Sequence, residues 1–369
     1  MKIAFVDGIN WDYTPLTPFE RPLGGSQSAA VYLARELAAR GHAVSYFNST
    51  STPGVYAGIE CPGVAGGLSP ARLNDCDAVV VMNSAVGQRF RAAGVRVPLI
   101  LWSQHATDQD AVKPLASPEE RLAWSGFVLV SQWQANDYRA TFGMLPERIT
   151  VLRNAAAPAF RTLERKHPPF FRTGAPPVLA YTSTPFRGLA VLLAAFPTIR
   201  AALPEARLRI FSSMGVYQVP EASDDYRVLY NLAAALPGSE YVGSLPQTAL
   251  ADALAEVDML AYPNVFAETS CIAAMEAMAA GCLMATTKLG ALPETTAGFG
   301  FLMDFAPDLV AMAREFAKLV VTLVRSAREQ PDQFEDRLNR QQAYARIAYD
   351  WATRAQEWEQ LLERFARRT

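Results

Sequence analysis

The chain alternates short, continuous apolar runs with stretches in which apolar residues recur every three or four positions. In the first half, KIAFVD (2–7), AVSYF (43–47), AVVVM (78–82), PLILW (98–102), FVLVS (127–131) and ITVLRN (149–154) are strand candidates. Runs that are apolar throughout suit strands covered on both faces, as in a parallel sheet between helices. A loop rich in proline and aromatic residues, Asn10 to Pro22, precedes a helical pattern from Ser26 to Arg40, with Ala30, Val31, Ala34, Leu37 and Ala38 at helical spacing. Glu36 and Arg40 are spaced for an i,i+4 ion pair. Gly41 stands where a helix wants a left-handed C-terminal residue.

The second half repeats the alternation. PVLAYTS (177–183), ARLRIFSS (206–213), EYVGS (240–244), DMLAYPN (258–264) and CLMATT (282–287) are predicted strands. Helices are predicted at Leu189–Leu203, Thr248–Glu256 and about Thr269–Ala280. From Ala306 the pattern is mostly helical, closing with a long helix from Trp351 to Arg367. Strands alternating with helices predict an α/β fold with helices on both faces of parallel sheets. Between the halves, residues 155–177 carry five prolines and the run LERKHPPFF, which reads as an interdomain linker. The expected domains are 1–165 and 176–348, with a helix at about 350–369 returning to the first.

Composition narrows the classes. Half of the 369 residues are hydrophobic, enough for two cores and too many for a disordered chain. Charge nearly balances, 34 basic against 36 acidic residues, so it gives no argument for nucleic acid or an anionic membrane as partner. RFRAAGVR (89–96) is the nearest approach to a basic amphipathic stretch, and peripheral membrane contact stays open. The four cysteines form no CxxC pair, which fits free thiols in a reducing compartment. The N-terminal apolar run is too short for a signal peptide or a membrane span, so a soluble cytoplasmic protein is expected. Asp108-Gln109-Asp110 has the spacing of a metal–diphosphate motif, but its loop setting reads as solvated, and no metal is expected.

Two segments carry candidate chemistry. In AETSCIAAMEAMAAGC, Glu268 and Glu276 lie eight residues apart, about 80° around and about 12 Å along a helix. The strand–loop–helix entrance offers the backbone N–H groups of Thr269, Ser270, Cys271 and Ile272 to a phosphate. The alternative is a Glu268 merely near the N-cap and a solvated Glu276. In PLGGSQSAAVYLARELAARGHAV, Gly24 and Gly25 permit close backbone approach to a ligand; the alternative is a flexible loop and a helix start. No GxGxxG follows a strand, which disfavours a nicotinamide dehydrogenase.

With VSQWQ (Ser131), ITVLRNAAAPAF (Asn154, Phe160), YVGS, ADALAEVDMLAYPN and LGALPE, these segments make the chain resemble the family-4, nucleotide-sugar-dependent glycosyltransferases of the GT-B fold. The resemblance implies two Rossmann-like α/β/α domains facing each other across a cleft. It implies a hexosyltransferase that moves a sugar, with retention, from a UDP- or GDP-sugar to a hydroxyl of a glycan or small molecule. It assigns Glu276 to the ribose hydroxyls, and Glu268 to the donor sugar. The amides of Thr269, Ser270, Cys271 and Ile272 fall to sugar hydroxyls and diphosphate, Gly24 and Gly25 to the diphosphate, Gly243 and Leu245 to the base, and His105 to the donor sugar. The sequence departs from the family at YTSTPFRGL, where the family has a basic pair, Arg-x4-Lys-Gly. Arg187 fills the second position and Thr182 stands at the first, leaving Arg187 with the hydroxyls of Thr182, Ser183 and Thr184 for the leaving group. Lys288 is a possible substitute, a surface lysine the plainer reading. His42 reads as structural, and His167 falls in the linker. Trp11 and Tyr13, in a mobile loop with Asp12, Phe19 and Glu20, are expected to contact the acceptor, unless the loop is pinned to its own domain. The same fold would also serve a nucleotide-sugar epimerase or phosphorylase, or a binding protein without activity. The oligomeric state is left open.

Overall fold

The apolar runs of the first half become strands buried along most of their length. In the computed structural model, which describes residues 1–367, the first sheet contains β1 (Lys2–Asp7), β2 (Ala43–Phe47), β3 (Gly54–Tyr56), β4 (Ile59–Cys61), β5 (Ala78–Met82), β6 (Leu99–Ser103), β7 (Gly126–Leu129) and β8 (Ile149–Val151). Their order is β3-β4-β2-β1-β5-β6-β7-β8, parallel except where β3 pairs antiparallel with β4. Every residue of β5, β6 and β7 is buried, as strands covered on both faces must be. Val6, Val79, Leu101, Trp124, Phe127 and Tyr138 anchor the core on one face.

The second sheet holds β9 (Val178–Tyr181), β10 (Arg207–Ile210), β11 (Ser239–Tyr241), β12 (Met259–Tyr262), β13 (Leu283–Thr287) and β14 (Phe301–Met303), in the order β11-β10-β9-β12-β13-β14. All its pairings are parallel. The order in which strands are added reverses at β9/β12, and in the first sheet at β1/β5. In open α/β sheets of this kind, ligands bind beyond the carboxyl ends of the strands at that reversal.

The chain divides into one unit of Met1–Glu20, Gly25–Ala155 and Trp351–Thr369, and another of Arg21–Gly24 and Ala156–Asp350. The division falls after Ala155, not at 165, and the proline-rich segment is part of the second unit. Arg165 is the reason: its guanidinium donates to the carbonyls of Val257 and Gly281 and pairs with Asp258 at 2.9 Å. Asp258 also accepts the amides of Phe170 and Val178.

Within the first unit, the helix Trp351–Ala366 lays Trp358 against Trp102, ring centroids 4.9 Å apart. Its Glu359 takes Arg40 in a two-pronged pair and His42 at 2.8 Å. Arg40 therefore bonds across 319 positions rather than to Glu36, because a fixed bidentate partner outcompetes a solvated neighbour on the same helix. The structural reading of His42 agrees with this contact. In RFRAAGVR, Arg91 turns inward from the short helix Gly87–Ala92 to the carbonyls of Ala123, Val95 and Val97, while Arg89 and Arg96 stay exposed. Among the described residues, no helix is long and apolar enough to cross a membrane.

Candidate functional site

The carboxyl ends of β9 and β12, neighbours at the reversal of the second sheet, carry a charged cluster. The turn after β9 places Arg187, and the loop after β12 places Glu268. One nitrogen of Arg187, Nη1, lies 2.8 Å from both carboxylate oxygens of Glu268. The Tyr262 hydroxyl donates to Glu268 Oε1 at 2.5 Å and lies 3.3 Å from Ser183 Oγ. The guanidinium sits over the rings of Phe266 and Phe186, 4.6 and 5.5 Å from their centroids. Burial opposes the charge on Arg187, but the Glu268 carboxylate outweighs it and raises the pKa well above the ordinary arginine value. Glu268 is 3% exposed, so the pair is a desolvated one.

Two glycines let these loops meet. Gly188 has φ of +132°, and a Cβ there would stand 2.2 Å from the Pro263 carbonyl oxygen. Gly290, at φ +63°, runs against the backbone of Glu268, where a Cβ would lie 2.4 Å from its carbonyl oxygen; the next amide, Ala291, donates to that oxygen. The glycine of LGALPE is thus a clamp on the Glu268 backbone.

The pair leaves one edge of Arg187 without a strong hydrogen-bond partner. Nε has no hydrogen-bond partner among the described residues, and Nη2 has a long contact, 3.4 Å, to the Tyr217 hydroxyl. Nε and Nη2 form the fork with which arginine grips two oxygens of one phosphate. The hydroxyls of Thr182, Thr184 and Ser270, buried near the same strand ends, also lack partners among the described residues. These are donors suited to an anionic, oxygen-rich ligand.

The helix expected from Thr269 runs only from Ile272 to Ala279, with Cys271 as N-cap. Thr269, Ser270 and Cys271 belong to the approach: Thr269 and Ser270 form a bend, after a Glu268 whose backbone is packed against Gly290 and bonded to the Ala291 amide. Ile272 and Ala273 remain first-turn residues, whose amides have no intrahelical acceptor. Glu276 lies one face inward, 3% exposed rather than solvated, and receives one long hydrogen bond, 3.4 Å, from the Ala157 amide. Burial pushes its carboxyl up to about 8. Gly243 and Leu245 follow the edge strand β11, with Gly243 at φ +81° and open space where a Cβ would stand. Lys288 pairs with Asp304 at the surface, the plainer of its two readings.

In the first unit, Gly25 opens the helix Gly25–Ala39; Gly24 is buried and is grouped with the second unit. His105 follows β6 and is partly buried, and its Nδ1 has no partner among the described residues. Burial lowers its pKa below the ordinary histidine value. Asp110 pairs with Lys113. The aromatic loop is pinned, not mobile. Tyr13 is fully buried; its hydroxyl donates to Asp7 at 2.6 Å, and its carbonyl accepts from Asn48. Asp12 takes the amide and hydroxyl of Ser51, and Phe19 stacks under Arg35. A buried Tyr13 cannot meet an acceptor. Trp11 stays partly exposed. The sequence reading missed Tyr262, Tyr217, Phe186 and Phe266, which frame Arg187; the tyrosine ending an otherwise aliphatic β12 is the one local sign.

A sequence model described as "Glycosyl transferases group 1" matches residues 176–325. No curated protein matches the chain. Solved structures share the fold across its length. A glycosyltransferase from Rickettsia africae aligns with a TM-score of 0.72 at 10% identity, covering 100% of both chains. A sucrose-phosphate synthase from Thermosynechococcus elongatus gives 0.68 at 14% identity, also covering 100% of both. The Anabaena protein HepE, in complex with UDP and glucose, gives 0.67 at 17% identity, covering 99% of this chain and 100% of that one. The chain therefore has the α/β fold of the GT-B glycosyltransferase structures, and its segment 176–325 matches the group 1 glycosyl transferases.

Proposed function

We propose that the chain is a family-4 retaining glycosyltransferase that moves a hexose from a UDP- or GDP-sugar to a hydroxyl of a glycan or small molecule. The observation that carries this reading is the Arg187–Glu268–Tyr262 cluster at the reversal of the second sheet, with Glu276 eight residues on. The match over 176–325 and the UDP and glucose bound by HepE support it. Glu276 accepts the two ribose hydroxyls. Glu268 and the amides of Ile272 and Ala273 meet the donor sugar and diphosphate. The Nε/Nη2 fork of Arg187 and the hydroxyls of Thr182, Ser183 and Thr184 receive the leaving diphosphate.

In the transfer, the bond from the anomeric carbon to the phosphate oxygen breaks, and its electron pair goes to that oxygen. The acceptor oxygen bonds to the anomeric carbon on the same face and passes its proton to the leaving phosphate. Arg187 and helix amides, aimed at the charge as it develops, do the stabilising. A divalent metal is then not required, and turnover should survive a chelator. The test is transfer or donor hydrolysis by the purified protein with a panel of nucleotide sugars. Released nucleoside diphosphate supports the reading. A product with the nucleotide still joined to an altered sugar would mean an epimerase. Binding without turnover of any donor would mean a binding protein.

A further inference from the structure

The segment Ser103–Thr107, which ends β6 and carries His105, is held by more side chains than its backbone needs. Asn83, itself at a positive φ of 56°, accepts the Gln104 amide at 2.8 Å. Asn154 donates to the Gln104 side chain at 2.8 Å. The His105 amide donates to Ser103 Oγ. Its carbonyl accepts from Gln134 Nε2 and from the Tyr138 hydroxyl, each at 2.8 Å. Thr107 donates to Asp137. Gln134, Asp137 and Tyr138 lie at i, i+3 and i+4 of the helix Gln132–Phe142, so one helix face docks the whole segment. Gln134 and Tyr138 are fully buried. A loop fixed from three directions is over-determined for stability alone, and such support is what a precisely placed functional group requires. The imidazole Nδ1 of His105 is meanwhile unpartnered among the described residues.

We infer that Gln134 and Tyr138 are positioning residues: by gripping the His105 carbonyl they hold its imidazole partly buried at the end of β6, set to take a hydrogen bond from a sugar hydroxyl. The sugar as ligand rests on the function proposed above; the positioning does not. The chain has three histidines, so the ring signals of His105 can be followed by NMR. In the wild type His105 should titrate below the ordinary histidine range. In Tyr138→Phe and Gln134→Met the titration should move up toward that range as the ring gains solvent. Turnover should fall about tenfold with the donor KM changed less than twofold, a difference in the transition state and not in ground-state binding. Ala135→Gly, which weakens the same helix without touching the segment, should leave the His105 titration in place. A His105 titration unmoved by both Tyr138→Phe and Gln134→Met would overturn the inference, as would an equal shift in Ala135→Gly. If the titration moves as expected but His105→Ala turns over normally, the positioning stands and the role of His105 toward the sugar fails.

Discussion

In the proposed reaction the leaving group depends on Arg187, and Glu268 decides how Arg187 is presented. Holding Nη1 by the carboxylate and the plane by Phe266 leaves the Nε/Nη2 edge without a strong hydrogen-bond partner. A lysine cannot reproduce this, having neither plane nor fork. Arg187→Lys should therefore lower turnover more than it lowers nucleotide affinity, as steady-state kinetics and calorimetry would show; equal losses would remove leaving-group stabilisation from its role. Arg187→Ala adds a stability cost of about 3 kcal/mol, because it strands the buried Glu268 charge, measurable in urea melts. Glu276 gives a second prediction. Its carboxyl holds a proton up to about pH 8 in the folded chain, against an ordinary 4.5. The folded state thus binds more protons between those values, and the stability contributed by the neutral acid is lost as pH rises through about 8. In the role proposed for Glu276, ribose hydroxyls donate to the ionised form, so nucleotide binding should release a proton below pH 8. Affinity should rise with pH, by at most about tenfold per unit, and Glu276→Gln should flatten that slope in calorimetry. The pair of glutamates was legible in the sequence because their spacing is local. The Arg187–Glu268 contact was not, since 81 positions separate the partners and only the strand order brings them together.

At the scale of elements, the sequence pattern located the long buried strands and the three-residue β8 and β11, but not β3, β4 and β14. The β3–β4 hairpin turns through Ala57 and Gly58, both at positive φ. An alanine at the first position hides a turn usually announced by asparagine or glycine. β14 has three residues, too few to show a period. The helix Ile272–Ala279 starts later than the sequence pattern suggests: Thr-Ser looks like an N-cap, but these residues form a bend, next to a Glu268 whose backbone contact, Gly290, is not local in the sequence. Gly188 and Gly290 therefore predict more than flexible joints. Gly188→Ala and Gly290→Ala should each cost about 1–3 kcal/mol of backbone strain and shift Arg187 from Glu268. Denaturant melts would give the cost, and loss of nucleotide affinity beyond that of a surface Gly298→Ala control would report the shift.

For the molecule as a whole, two α/β units were foreseeable from the repeated alternation, but the point where the first gives way to the second was not. Arg165 draws the proline-rich segment into the second unit through partners more than 90 positions away. The helix Trp351–Ala366 completes the first unit although it follows the second in sequence. Truncation before Trp351 should uncover Trp102 and leave Arg40 and His42 without Glu359. In calorimetry the first unit's transition should drop by many degrees or vanish, while that of the second keeps its midpoint; a parallel fall in both would show that the helix stabilises the whole chain instead. The same discontinuity has a consequence for biosynthesis. A ribosome delivers residues 1–155 early, yet Trp358 emerges only after the entire second unit has been made. The unit synthesised first is therefore the one that finishes folding last, and through that interval the surface awaiting Trp358 is an exposed apolar face that a chaperone can hold.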